Sequence, residues 1–212
     1  MKHIKKILII GGTLLACVLL INKITVNANT LQEEVAAKII RFHVIANSDS
    51  DKDQELKLQL RDYISTYMKT ILDEADSIEE AKEMLSNNIE TIKSMSQEFV
   101  ELHGEDGNYK VDVSLEKSFF PVKTYGDFTF PSGEYEALKI VIGKGQGKNW
   151  WCVMYPNLCF VDESYGVVEK ESKELLKKNL SRDAYNMLTA SGEGKLKIKS
   201  LIWDKLILYL NI

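Results

Sequence analysis

Cys152, Cys159, His43 and His103 are the side chains of this chain best suited to nucleophilic or metal chemistry. A Cys152 thiolate beside the His43 imidazole would make an activated nucleophile. No elbow glycine or oxyanion-loop signature surrounds Cys152, however, and a second cysteine seven residues on would quench the thiolate as a disulfide. Zinc held by Cys152, Cys159, His43 and His103 is disfavoured too, because six residues between the cysteines exceed knuckle spacing. Asp49, Asp51 and Asp53 have the spacing that opens a calcium loop, but Gln54 stands where the turn needs glycine and Leu60 where the shell needs a closing Glu. Helix capping is the better account of them. Gly143, Gly145, Gly147 and Lys148 invite a phosphate-loop reading, yet the step between the outer glycines is four rather than five, and Asn149 follows the lysine. They read as a flexible strand-to-strand loop. His103, beside Gly104, suits a helix end, where a cation meets free carbonyls. The expectation is no catalytic residue, no metal and no cofactor.

Aromatic side chains are more suggestive. Trp150, Trp151, Tyr155 and Phe160 crowd one short stretch, and Tyr125, Phe128, Phe130 and Tyr135 precede it across glycine-rich sequence. If Trp150 and Trp151 both lie in a strand they face opposite sides. Core packing and a protein interface account for the cluster equally well, since exposed aromatics beside glycine loops serve as interface anchors.

The elements that must position these residues follow from periodicity. Residues 31–38 read as a short helical lead-in, and Ile39 to Ala46 as a β-branched strand buried on one or both faces. Asn47-Ser48-Asp49-Ser50-Asp51 stops that strand and starts a helix over about 52–73, with Leu56, Leu60, Ile64, Tyr67, Met68 and Ile71 on one stripe. Ser77-Ile78-Glu79-Glu80 is a capping-box pattern for a second helix, whose stripe is Ala81, Leu85, Ile89, Ile92, Phe99 and Leu102. The two make a helical hairpin over about 52–103. A sheet-rich part spans about 107–165: Tyr109, Val111, Val113 and Leu115 alternate with polar residues, 118–133 is irregular, and 134–142 is a strand. The run 150–161 reads as a hairpin around Pro156-Asn157. If Val153 and Leu158 flank a four-residue loop, Cys152 faces Cys159 and a bridge closes. If Pro156 and Asn157 are the central pair, Cys152 faces Val161 and the sulfurs lie too far apart. A helical tail fills about 168–212. The fold class is α+β: one domain over 29–212, an antiparallel or mixed sheet with packed helices.

The chain has 212 residues, 45% hydrophobic and 27% charged, with 3 Pro and 12 Gly, which excludes disordered, collagenous and disulfide-knot classes. Its formal charge of −4 is uneven. Residues 1–28 hold Lys2, Lys5, Lys6 and Lys23 and no acid, so the remainder sets 23 of the 27 bases against all 31 acids, a net of −8. A body so acidic disfavours nucleic-acid partners and anionic headgroups. The lysines precede an apolar run from Ile7 to Ile21 and a polar stretch ending at Ala28-Asn29, the grammar of a signal peptide or signal anchor over 1–28. Fifteen residues rise roughly 22 Å as a helix, short of the roughly 30 Å hydrocarbon core. A tilted span lengthened through Ile24 and Val26 would instead leave an uncleaved anchor in contact with the membrane. Cys17 as a lipidation site fits poorly, because an apolar run follows it. On either reading the body is expected outside the cytoplasm, where a Cys152–Cys159 disulfide is permitted.

Four ordered motifs are together distinctive: residues 41–49 (Arg41 through Asp49), 120–126 (Phe120 through Gly126), 131–138 (Pro131 through Leu138), and Gly143 through Cys152 running on to Asp162. On these the chain resembles the stage II sporulation protein R family of endospore-forming Firmicutes, over about residues 31–165. The resemblance implies an exported intercellular signal, sent from the forespore into the intermembrane space, that activates a membrane-embedded aspartic protease of the mother cell. That sigma-E processing peptidase, the implied partner, then processes pro-sigma-E. It implies an activator that is not itself an enzyme. Contact residues are chosen on chemistry alone: His43, Asn47, Asp49, Tyr125, Trp150 and Trp151. Two other readings stay open, an exported hydrolase or cell-wall-active enzyme using Cys152 and His43, and a structural envelope protein.

Overall fold

A computed structural model describes residues 2–104, 109–159 and 168–190. The first element, α1 (Lys2–Ala36), is one helix that runs without a break across residue 28 and takes in the predicted lead-in. Among the described residues, no helix is long and apolar enough to cross a membrane. Then follow β1 (Ile40–Ile45), α2 (Asp51–Leu72), α3 (Ile78–His103), β2 (Val111–Phe120), β3 (Lys123–Tyr125), β4 (Phe128–Phe130), β5 (Gly133–Ile142), β6 (Asn149–Tyr155), α4 (Lys170–Asn179) and α5 (Arg182–Ala190). The class is α+β with a mixed sheet, in the order β2-β5-β1-β6. Here β1 runs parallel to β5 and antiparallel to β6, and β2 runs antiparallel to β5.

Alternation sorts the sheet into two apolar faces. Ile40, Phe42 and Val44 of β1 join Leu138, Ile140, Cys152 and Met154 against α2 and α3, which contribute Leu56, Leu60, Ile64, Leu85 and Ile92. The alternate positions of the strands face the other way. There Val153, Ala137, Tyr135 and Phe120 pack with Val35 at the end of α1, Phe128 and Phe130 of β4, and Leu176, Ala184 and Leu188 of α4 and α5. β1 is therefore covered on both faces, as its run of apolar residues requires.

Helix starts follow local chemistry. Ser50 caps α2, its hydroxyl accepting from Asp53 N, while Asp51 and Asp53 sit in the first turn where the helix dipole favours anions. Ser77 caps α3 by accepting from Glu80 N, and the Glu80 carboxylate reaches back to Asp76 N, one residue before the cap. Gly104 closes α3, as expected.

The structure corrects several sequence expectations. Leu102 is 73% exposed; the inward stripe of α3 ends on Ser96 and Val100 instead. Residues 118–133 are not irregular: β2 continues to Phe120, and β3 and β4 form a small separate hairpin, Thr124 opposite Thr129. The predicted hairpin at 150–161 keeps its first strand as β6, but β6 pairs with β1; Leu158 and Cys159, the expected start of its second strand, are not strand, and residues 160 and 161 lie outside the described residues. Of the predicted helical tail over about 168–212, α4 and α5 are helical as expected, and residues 191–212 lie outside the described residues.

Candidate functional site

The connection from β5 to β6 must pass over β1, which lies between them, so the glycine-rich loop straddles the end of β1. It is pinned there. Gly147 N donates to Ala46 O at 2.9 Å and Gln146 N to Asn47 O at 3.1 Å. Lys144 N donates to Asn47 Oδ1 at 3.0 Å, and Lys148 N to Asp49 Oδ1 at 2.7 Å. Gly143, at φ +59°, lies against the Asn47 amide so closely that a Cβ would collide with it. The flexible loop read from the sequence is thus a clamped one. Asn47 and Asp49, chosen as partner contacts, are the clamp.

Asn47 Nδ2 in turn donates to Asp53 Oδ2 at 2.9 Å, and Ser48 Oγ donates to the same oxygen. Burial alone would raise the Asp53 carboxyl, but hydrogen bonds from Ser48, Asn47, Tyr109 and Ser50 outweigh it and hold the group below its ordinary value. The Asp49, Asp51, Asp53 cluster therefore anchors a loop and starts a helix. Among the described residues, no group of His, Cys, Asp or Glu is arranged to hold a metal ion.

Three of the other candidates converge on the face of the sheet that carries Phe120 and Tyr135. His43 lies opposite Trp151 in the β1–β6 register, and their rings stack at 5.5 Å. His43 Nε2 and Asn149 Oδ1 are 2.9 Å apart. Burial pushes the His43 imidazole below its ordinary pKa, and the Asn149 hydrogen bond opposes this only in part. Tyr125 reaches over from β3, its hydroxyl donating to Trp151 O at 2.9 Å. Trp150 points to the opposite face, edge-on to Phe42 at 5.8 Å, with the Arg61 guanidinium 4.9 Å from its ring centroid. Adjacent tryptophans on opposite faces is what strand geometry dictates.

Cys152 and His43 do not meet. Cys152 belongs to the face packed on α2 and α3 and His43 to the other, so the dyad considered from sequence has no geometry here. Cys152 is bridged to Cys159, with Cα atoms 5.2 Å apart. Leu158 N donates to Val153 O at 2.9 Å, which is the four-residue-loop register that sets the cysteines face to face. His103 is remote from all of these, its Nδ1 2.9 Å from Phe99 O within the last turn of α3.

Sequence reasoning missed Arg41. It is fully buried, yet no carboxylate among the described residues pairs with it. Its Nε donates to Cys152 O at 3.0 Å and its Nη2 to Tyr125 Oη at 3.3 Å. The guanidinium lies 4.4 Å from the Phe120 ring centroid and 5.1 Å from that of Tyr135, with Phe130 and Tyr125 completing an aromatic cage. Desolvation lowers its pKa, and the cage and the Tyr125 hydrogen bond act against that. The one available signal was a lone charge inside an apolar strand. Lys57 was missed similarly: it is buried on α2 and donates to Gln54 Oε1 at 2.7 Å and Lys148 O at 3.1 Å, a further tie to the clamped loop.

The stage II sporulation protein R family model matches residues 36–165, the stretch that holds the whole sheet, the clamp and the aromatic face. Stage II sporulation protein R of Bacillus subtilis (strain 168) is 43% identical over 145 residues, which is 68% of this chain and 64% of the relative, so the match spans a little under two thirds of the relative's length. No solved structure matches. With more than half of the chain matched, this protein belongs to the stage II sporulation protein R family.

Proposed function

We propose that the chain is an exported intercellular signal of sporulation that activates a membrane-embedded aspartic protease, which then processes pro-sigma-E in the mother cell. Family membership supports a sporulation role. The observation that carries the rest is the disulfide between Cys152 of β6 and Cys159 of the turn that follows it. A bridge of this kind persists in an oxidising compartment outside the cytoplasm, and it occupies the thiolate that a cysteine hydrolase would need. The basic, apolar start of the sequence supplies the export route, as a signal or an anchor. The site then acts by binding. Tyr125 and Trp151, with the buried His43 stacked against the indole, give a stiff aromatic surface on a braced sheet, with little side-chain entropy to lose on contact. Activation follows if this surface binds the protease's competent arrangement more tightly than its idle one; equal binding to both would shift nothing.

The test is co-expression of the chain with the membrane-embedded peptidase and its precursor in a non-sporulating host. Cleavage that depends on this chain is expected. No cleavage with both partners correctly inserted would exclude direct activation. A Cys152→Ser, Cys159→Ser variant of normal fold and level is expected to keep activity; its abolition would return the reading to an enzyme.

A further inference from the structure

Between β3 and the outer side of β6 lies a cleft of about 410 Å³, lined among others by Lys123, Tyr125, Trp151, Leu158 and Cys159. In a chain with more acids than bases, no carboxylate lines it among the described residues. Two of its lining residues carry donors that have no acceptor among the described residues. Trp151 Nε1 is buried and has no hydrogen-bond partner among the described residues, and an indole N–H can only donate. The Lys123 ammonium stands 4.5 Å from the Trp151 ring centroid, against the π face, and no carboxylate among the described residues pairs with it. Buried donors almost always find an acceptor, so an orphan beside an uncompensated cation marks a place where an anion belongs. Leu158, the indole and the disulfide wall the cleft with apolar surface, which strengthens a charge-assisted hydrogen bond made inside it.

We propose that this cleft binds a carboxylate side chain, an Asp or Glu on an extended segment of a protein partner, with the Lys123 ammonium and Trp151 Nε1 as its donors. A polyanion is a poor fit: one lysine on a body of net −8 gives neither nucleic acid nor an anionic headgroup the clustered cations it needs. A neutral acceptor would leave the ammonium uncompensated. The proposal deepens the activator reading by naming the chemistry of the docking segment, and rests on that reading only for which protein supplies it.

The test follows the indole N–H resonances of the full, oxidised chain carrying isotope-labelled tryptophan, in detergent micelles, as an acetylated and amidated triglutamate peptide is added; the triglutamine peptide is the control. Trp151→Phe identifies the resonance. Binding at a dissociation constant of ~1 mM is expected for a ligand this small, with a downfield shift of the Trp151 signal by triglutamate only. Lys123→Gln is expected to weaken binding about tenfold, and Lys123→Arg to restore it. Equal shifts with both peptides, no shift with either, or full binding by Lys123→Gln would overturn the proposal. Because no protease is present, failure here is separate from failure of the processing assay.

Discussion

The Tyr125 hydroxyl accepts from Arg41 Nη2 at 3.3 Å and donates to Trp151 O at 2.9 Å, so a single phenol ties the β3–β4 hairpin to both β1 and β6. Removing it leaves a buried guanidinium nitrogen and a strand carbonyl without partners. Tyr125→Phe is expected to cost about 1–3 kcal/mol, seen as a lower urea midpoint at unchanged slope. Arg41→Ala adds a cavity among four rings and is expected to cost about 3–5 kcal/mol. A midpoint unmoved by Tyr125→Phe would mean that the hairpin is held by Phe128 and Phe130 packing alone.

Asn47 works at both ends of its amide, accepting from Lys144 N and donating to Asp53. Asn47→Ala frees the loop that crosses β1 and is expected to cost about 2 kcal/mol. Faster hydrogen exchange should be confined first to the amides of Lys144, Gln146 and Gly147. Exchange unchanged at Lys144 would show that the backbone bonds to Ala46 and Asn47 suffice.

The Cys152–Cys159 bridge closes a loop of sequence separation 7. Loop-closure entropy for so short a ring gives about 2–3 kcal/mol, the loss expected for the Cys152→Ala, Cys159→Ala double variant. Thiol titration of the unfolded, unreduced full chain should find Cys17 alone. Three titrating thiols would remove the bridge.

His43 supplies the pH dependence near neutrality. Burial lowers its pKa below 6.5 in the folded state, amid Asn149, Lys139, Glu116 and Arg41. Between that lowered value and about 6.5 the unfolded chain holds more protons than the folded one, so stability rises with pH across this window and falls as pH drops through it. His43→Gln should flatten that part of the profile while keeping a partner for Asn149. Asp53 and Glu116, whose carboxyls are also held below their ordinary values, give a second loss at lower pH that the variant keeps. Identical profiles for the two proteins above about pH 5 would show that His43 titrates as in an unfolded chain.

What the sequence determined by itself is local. The stripe of Leu56, Leu60, Ile64 and Met68, the caps at Ser50 and Ser77, the stop at Gly104 and the alternation of Val111 and Val113 are short-range patterns, because helix and strand periods are written every two to four residues. The opposition of Trp150 and Trp151 was legible for the same reason. The tertiary structure decided everything that depends on which strand lies beside which. Only the β2-β5-β1-β6 order sends the glycine loop across β1 and turns Asn47 and Asp49 into its clamp. Only the β1–β6 register puts Cys152 and His43 on opposite faces, and only the turn closed by Leu158 N on Val153 O chooses between the two pairings the cysteines allowed. The cage around Arg41 gathers Phe120, Tyr125, Phe130 and Tyr135 from four strands, two of them supplied by the small β3–β4 hairpin. A pattern of residues along the chain carries no record of such partners, since pairing across tens of residues is fixed by the burial of whole faces rather than by any local preference.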